Sequence, residues 1–515
     1  MTTPKWLETA IFYEIYPQSF YDTNGDGIGD LRGITEKLDY IKDLGCDALW
    51  INPCFDSPFN DAGYDVRDFR KIAPRYGTNE DMRRLFNAAH ERGMRVLLDL
   101  VPGHTSVEHE WFKASMRSDA GPYAKRYIWS DSPWERFNGI DNISGYLNGV
   151  CDRGTVAVNF FSTQPALNFG FAEPEPDKPW QSAADSPEAL AARADIKEIM
   201  RFWLSMGCDG FRVDMAHSLV KADKGYKKTI ELWREFRAFL DAEFPDAAIV
   251  SEWGKPDQSL AAGFHMDFLL HFGDSHYNDL FRDNPYFSGA ANGDLTEFIA
   301  YYKKVRAAAG LEGLICIPSS NHDMARIARK LTNDELKLAF AFLLSMPGAP
   351  FIYYGDEIGM RYLEDMPSVE GGYERTGSRS PMQWDSSLNA GFSSAKPEEL
   401  YIPIDTDRAR PNVREQLADE NSLLNEVKRL IQFRRGCEAL WNDRAIEFIS
   451  GAGAGQVLAY RRGGEGGVIC AFNPGRKAAE APFLSGLKPL YMISASKADF
   501  KGSVTMPPQS AGFFQ

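Results

Sequence analysis

Three acids, Asp214, Glu252 and Asp323, each stand at or just beyond the end of a short apolar run. The runs read GFRVDMAH (210–217), AIVSEW (248–253) and GLICIPSSNHD (313–323); a fourth, RVLLDLVPGHTS (95–106), ends in Asp99 and His104. Arg212 and Asp214 are two residues apart, so on a strand they project from the same face. A guanidinium beside Asp214 favours the ionised carboxylate, and the expectation is a lowered Asp214 pKa, as a nucleophile needs. Glu252 is expected to be raised instead, so that it can protonate a leaving oxygen. Two carboxyls tuned in opposite directions and about 5–5.5 Å apart are what retaining glycoside hydrolysis uses. A third acid, Asp323, would stabilise the positive ring of the transition state. The plain alternative is that a strand-end acid caps the following helix. That explanation would have to hold repeatedly at one rim.

The elements that must position these groups alternate. Further apolar runs lie at IFYEIYP (11–17), ALWINP (48–53), FHMDFLL (264–270) and PFIYYGDEIG (350–359), with helical periodicities between them. Ile34, Leu38 and Ile41 share one helical face, and Thr78-x-x-Asp81 reads as a capping box before Met82, Leu85 and Phe86. Continuous apolar runs suit parallel strands buried on both faces. Eight such β/α units predict an α/β fold, a (β/α)₈ TIM barrel, whose site lies at the C-terminal strand ends. The rhythm breaks after Gly103, which predicts an inserted domain after the third strand at 104–187. The expected barrel therefore covers 1–103 and 188–436. Gly-rich turns between AIEFI, VLAYRR and VICAFNP predict a C-terminal antiparallel β-sandwich domain at 437–515.

The four acid-bearing segments, in this order, resemble the four signature regions of the α-amylase family (glycoside hydrolase family 13). Four regions in order are specific, and the resemblance covers nearly the whole chain. It implies Asp214 as nucleophile, Glu252 as acid/base and Asp323 as transition-state stabiliser. By the same resemblance His104, Arg212 and His322 hold the sugar at the cleavage subsite, and Tyr64 stacks on it. A fifth region reads QPALN (164–168), with Ala166 where the oligo-1,6-glucosidase branch usually has Asp. RSPMQWD (379–385) resembles the RTPMQWD of that branch, with Ser380 for Thr. There an Asp–Arg pair grips the terminal glucose, and Asp61 and Arg379 match it; Phe161 would border the next subsite. The expected activity is retaining hydrolysis of α-1,4 or α-1,6 bonds in short α-gluco-oligosaccharides. A transglycosylase or isomerase, trehalose-synthase-like or sucrose-isomerase-like, shares the scaffold. A non-catalytic sugar-binding or transporter-associated relative would be expected to have lost an acid or gained a membrane segment.

DTNGDGIGD (22–30) spaces Asp22, Asn24, Asp26 and Asp30 alternately, with glycines that permit a tight wrap. Oxygen ligands at this spacing suit Ca²⁺, although Asx-turns alone would also use them. The resembled branch has a structural Ca²⁺ here, with the Ile28 carbonyl as a further ligand. Many α-amylases carry Asn where Gly103 stands, to bind a second calcium between barrel and insert, so that second site is not expected.

The chain has 515 residues, a formal net charge of −15, and 44% hydrophobic and 25% charged residues. A negative chain repels phosphate backbones, so nucleic acid is a poor partner. No signal-peptide pattern opens the sequence and no apolar stretch is long enough to span a membrane. Seven cysteines without CxxC pairs fit a reducing cytoplasm. Nothing in the sequence sets the oligomeric state.

Overall fold

The computed structural model describes residues 3–117, 121–310, 313–451, 453–494 and 504–515. Each of the eight apolar runs contains a parallel strand: β1 (Phe12–Ile15), β2 (Ala48–Ile51), β3 (Arg95–Leu100), β4 (Gly210–Val213), β5 (Ala248–Ser251), β6 (Met266–Phe268), β7 (Leu314–Cys316) and β8 (Phe351–Tyr353). They pair in sequence from β1 to β7, with β8 on the free side of β1. A parallel bridge between Pro318 and Phe351, with Ser319 N donating to Phe351 O at 2.9 Å, joins β7 to β8 and closes the barrel. Nearly every strand residue is buried. Strands enclosed by helices outside and side chains within need apolar residues on both faces, which is why the runs are continuous.

The helices start and stop where local chemistry dictates. Thr78 accepts from Asp81 N while Asp81 accepts from Thr78 N, the reciprocal box expected before Asn79–Glu91. Ser186 caps the twenty-residue helix Pro187–Met206, which buries Ile196, Ile199, Met200 and Trp203 against the barrel.

Between β3 and that helix lies a segment with little regular structure: a helix at Glu110–Ser115 and an antiparallel pair, Gly145–Leu147 with Val156–Val158. Ile128, Phe137, Ala157, Ala166 and Phe171 give it a core of its own. After the helix Leu423–Gly436 come β9 (Ile446–Phe448), β10 (Leu458–Arg462), β11 (Val468–Asn473), β12 (Pro489–Ser494) and β13 (Ser510–Phe514), an antiparallel sheet in the order 9-10-11-13-12. Alternation divides its residues. Leu458, Tyr460, Cys470 and Phe472 join the barrel core, while Ala459, Ile469, Ala471 and Phe514 pack on Leu484 and Met506. Among the described residues no helix is long and apolar enough to cross a membrane, and all seven cysteines are free.

Candidate active site

The C-terminal ends of the barrel strands converge on one buried arginine. Arg212, only 1% exposed, rises from β4. Its Nη1 donates to Asp99 Oδ1 at 2.8 Å and to Asp214 Oδ1 at 3.1 Å, and its Nη2 lies 2.9 Å from Glu252 Oε1. Acids from β3 and from the ends of β4 and β5 thus share one guanidinium. Glu252 is oriented further by Met215 N, which donates to Oε2 at 3.0 Å. Met215 has a φ of 40°, in the left-handed region, so this N–H is aimed at the cost of backbone strain.

The electrostatics of Asp214 differ from the sequence expectation. Burial raises its pKa well above the ordinary carboxylate value, the Glu252 charge raises it further, and Arg212 offsets these only in part. One guanidinium divided among three acids cannot do for each what it would do for one. Replacing Arg212 by Met should therefore destabilise the fold by about 3–5 kcal/mol, because it strands buried carboxylates. Urea unfolding should show the loss at neutral pH and a smaller loss in acid, where the carboxyls protonate.

Asp323, beyond β7, is held in the opposite sense. Burial alone would raise it, but His322, Arg375 and Arg379 hold it well below the usual carboxylate range. The contacts are His322 Nε2 to Oδ2 at 3.1 Å, and Arg375 Nη1 and Arg379 Nη2 to Oδ1 at 2.9 and 2.8 Å. His322 also meets Tyr64 OH at 2.7 Å and Glu14 Oε1 at 3.0 Å. Burial works against its charge, yet Asp323 and Glu14 carry its pKa up to about 9. Tyr64 stacks on the His322 ring at 5.5 Å and donates to Asp99 Oδ2 at 3.1 Å. His104 is different. Burial drops it to about 3, so it is neutral, with Nε2 3.1 Å from Tyr64 O and Nδ1 3.2 Å from Asn159 Nδ2.

Asp61, Tyr64, His104, Asp214, Glu252 and Asp323 line one small pocket of about 80 Å³. Outside it lies a vestibule of about 520 Å³ walled by Phe160, Phe161, Phe272 and Tyr373. Phe161 packs 4.5 Å from Phe160 and 6.0 Å from Tyr373, ring to ring, at this mouth.

One expected pairing is replaced. Arg379 does not bond Asp61; it is 1% exposed, lies 5.3 Å from the Tyr16 ring, and donates to His322 O at 2.8 Å and to Asp323. The cation beside Asp61 is Arg375, with Nη2 3.6 Å from Oδ1, while Gln164 Nε2 donates to Oδ2 at 2.8 Å. Burial raises Asp61 to about 6. Sequence reasoning missed Arg375, which sits in a glycine-rich loop without periodicity. It also missed Glu14, although a lone acid inside IFYEIYP is the mark of a buried, partnered charge.

Two loops bear on metals. In 22–30, Asp22 Oδ1 accepts from Asn24 N and Gly25 N, and Oδ2 from Gly27 N and Ser393 Oγ. Asp30 accepts from Gly33 N, Thr23 N and Thr23 Oγ1, and Asp26 accepts from Ile28 N and from Asn24 Nδ2. These partners are neutral, and the donor set is all oxygen, as a hard cation prefers. The carboxylates nevertheless face the loop's own N–H groups, and among the described residues no three Asp, Glu, His or Cys side chains are placed to hold a metal ion.

The second loop holds an ammonium. Buried Lys221 donates from Nζ to Asn142 O, Asn159 Oδ1 and Ser218 O at 2.8, 3.0 and 2.6 Å, and burial pushes its pKa down to about 7. It thereby ties the insert to the loop after β4. A Cβ at Gly103 would stand 2.7 Å from Asn159 Nδ2, so a side chain there would have to push that amide aside.

The sequence matches the family described as "Alpha amylase, catalytic domain" over residues 14–443. The chain belongs to the α-amylase family. This family member is 34% identical to a trehalose synthase/amylase, TreS, of Mycolicibacterium smegmatis, over 92% of its own length and 85% of the relative's. It is 32% identical to an oligo-1,6-glucosidase of Heyndrickxia coagulans, over 85% and 87%. Among solved structures, the trehalulose synthase MutB of Pseudomonas mesoacidophila MX-45 matches with a TM-score of 0.83 and 27% identity over the full length of both chains. An α-amylase family enzyme of this kind acts on α-glucosidic bonds.

Proposed function

We propose that this α-amylase family enzyme is a retaining α-glucosidase of short α-gluco-oligosaccharides. The observation that carries the reading is the shared guanidinium. Asp214 and Glu252 bound to two nitrogens of Arg212 stand near each other, as a nucleophile and its acid/base must, with Asp323 on the same pocket. Retaining pairs stand about 5–5.5 Å apart and inverting pairs roughly 6.5–9.5 Å.

In the proposed first step Glu252 gives its proton to the glycosidic oxygen as the C1–O bond breaks and an Asp214 oxygen bonds to C1. In the second, Glu252 takes a proton from water, the water oxygen bonds to C1, and Asp214 leaves. Asp323, held ionised, faces the ring cation in both steps. Tyr64 supplies a ring face, while neutral His104, charged His322 and Arg212 bind sugar hydroxyls. Asp61 meets the terminal glucosyl unit, with Arg379 acting through Asp323, and Phe161 contacts the leaving sugar.

A second reading replaces water by another hydroxyl of the released sugar, which makes an isomerase. Similarity to TreS and to MutB favours it. Product chromatography after incubation with maltose, isomaltose and sucrose decides. Free glucose as the main product is expected, and isomerised disaccharide with little glucose would establish the second reading instead. The free cysteines support a cytoplasmic setting.

We also propose that Asp22, Asn24, Asp26, Asp30 and the Ile28 carbonyl hold a structural Ca²⁺, which would bring these oxygens together. Binding at 100 times Kd adds about 2.7 kcal/mol of stability. Millimolar Ca²⁺ added to EGTA-dialysed protein should raise the melting temperature by several degrees. An unchanged melting curve at 10-millimolar Ca²⁺ would remove the site.

A further inference from the structure

Three cavities meet at the acids, and among the described residues only Asp323 and Arg375 line all of them. These are the inner pocket of about 80 Å³, the aromatic vestibule of about 520 Å³, and a third of about 600 Å³ walled by residues from the loops after β6, β7 and β8. The inner pocket is where the proposed reaction takes place, and the Arg375 side chain stands in its lining between Asp61 and Asp323.

Resting on the glucosyl-transfer reading above, we infer that Arg375 is a displaceable occupant of the cleavage pocket. Its guanidinium spans Asp61 and Asp323, the ground a terminal glucosyl unit takes, and it withdraws when the sugar enters. Arg375 is the cation at the site that is free to do so. Arg212 and Arg379 are 1% exposed and locked among buried partners, whereas the Arg375 side chain is 20% exposed. It is anchored mainly to its own loop, through Gly371 O at 2.6 Å and Gly372 O at 3.3 Å. That loop bends through left-handed conformations at Glu370, Gly371 and Tyr373.

Both partners tolerate its departure. Asp323 keeps His322 and Arg379. Asp61 Oδ1 has no hydrogen-bond partner and lies 3.6 Å from Arg375, beyond a good hydrogen bond. A sugar hydroxyl would satisfy this acceptor as the guanidinium does not. The third cavity offers a destination, since Asp283, Glu364, Asp365 and Glu374 line it. Arg375 would thus exchange one acidic surrounding for another, and only a ligand that satisfies Asp61 would draw it across. This makes it a specificity-determining residue.

The test is glucose binding by calorimetry to the parent, Arg375→Gln and Arg375→Lys. Removal of the occupant should lower the glucose Kd at least 5-fold in Arg375→Gln, with the maltose KM falling in parallel, while Arg375→Lys stays near the parent. An unchanged or higher Kd in Arg375→Gln would overturn the inference, because Arg375 would then be inert or itself a sugar ligand. Should Arg375→Gln fail to fold, a crystal structure of the parent with glucose decides. Arg375 withdrawn from Asp61 supports the inference, and Arg375 still spanning Asp61 and Asp323 beside bound glucose overturns it. Absence of glucose binding in every protein, parent included, would overturn the glucosyl-site reading and the occupant with it.

Discussion

Asp214→Ala is expected to lower kcat on a nitrophenyl α-glucoside by about 10⁴-fold or more, close to 5.5 kcal/mol of lost transition-state stabilisation. The loss should be this large because the carboxylate forms the new bond to C1, and no neighbour can replace it. Asp99 is committed to Trp50, Tyr64 and Arg212, and Asp323 to three cations. The side chain removed leaves room for a small anion, so azide should restore part of the rate and give the β-glucosyl azide, the anomer formed by attack from the Asp214 side. A variant turning over as fast as the parent would end the proposed mechanism.

Glu252→Gln should discriminate between leaving groups. On maltose, whose glucose must leave protonated, the expected loss is about 10³-fold, within the 10²–10⁴ range of general acid catalysis. On a nitrophenyl glucoside the first step should be nearly spared, and the covalent intermediate should accumulate as a burst of nitrophenol. The pH profile gives an independent check. Asp214 is raised by burial and then by the Glu252 charge, so the parent should lose activity on acidification at a pH above the ordinary Asp range. Glu252 must carry its proton to act and is already neutral on this limb, so Glu252→Gln should leave the acidic limb in place. Equal losses on both substrates would exclude Glu252 as the acid.

The barrel was legible because its physics is local. A strand enclosed on both faces must be apolar throughout, and runs such as RVLLDLVP and PFIYYGDEIG say so residue by residue. The acids were legible for a related reason: each terminates such a run at the same end. The last two strands of the C-terminal sheet were harder. SAGFF carries a glycine and PLYMIS starts on a proline at the sheet's edge, so neither advertises a strand.

At the site, the sequence could show which residue types gather but not how charge is shared. Arg212 beside Asp214 predicted a lowered pKa, and the structure has the same guanidinium divided among three acids in a dry setting. Asp61 and Arg379 are 318 positions apart in the chain. Whether they meet, or Arg375 intervenes, depends on the path of a loop that has no periodicity to read.

The ammonium of Lys221 has a consequence for how the insert stays registered over the acids. Through Asn159 it is one step from His104, so the join between insert and barrel is also the support of the sugar-binding wall. A cation carried on the chain cannot be diluted away. Its effective concentration is fixed by the backbone, not by the surrounding medium. While Lys221 is protonated this wall should therefore keep its shape whatever the divalent-ion content of the solution, and any dependence of the enzyme on free divalent ions would have to originate elsewhere.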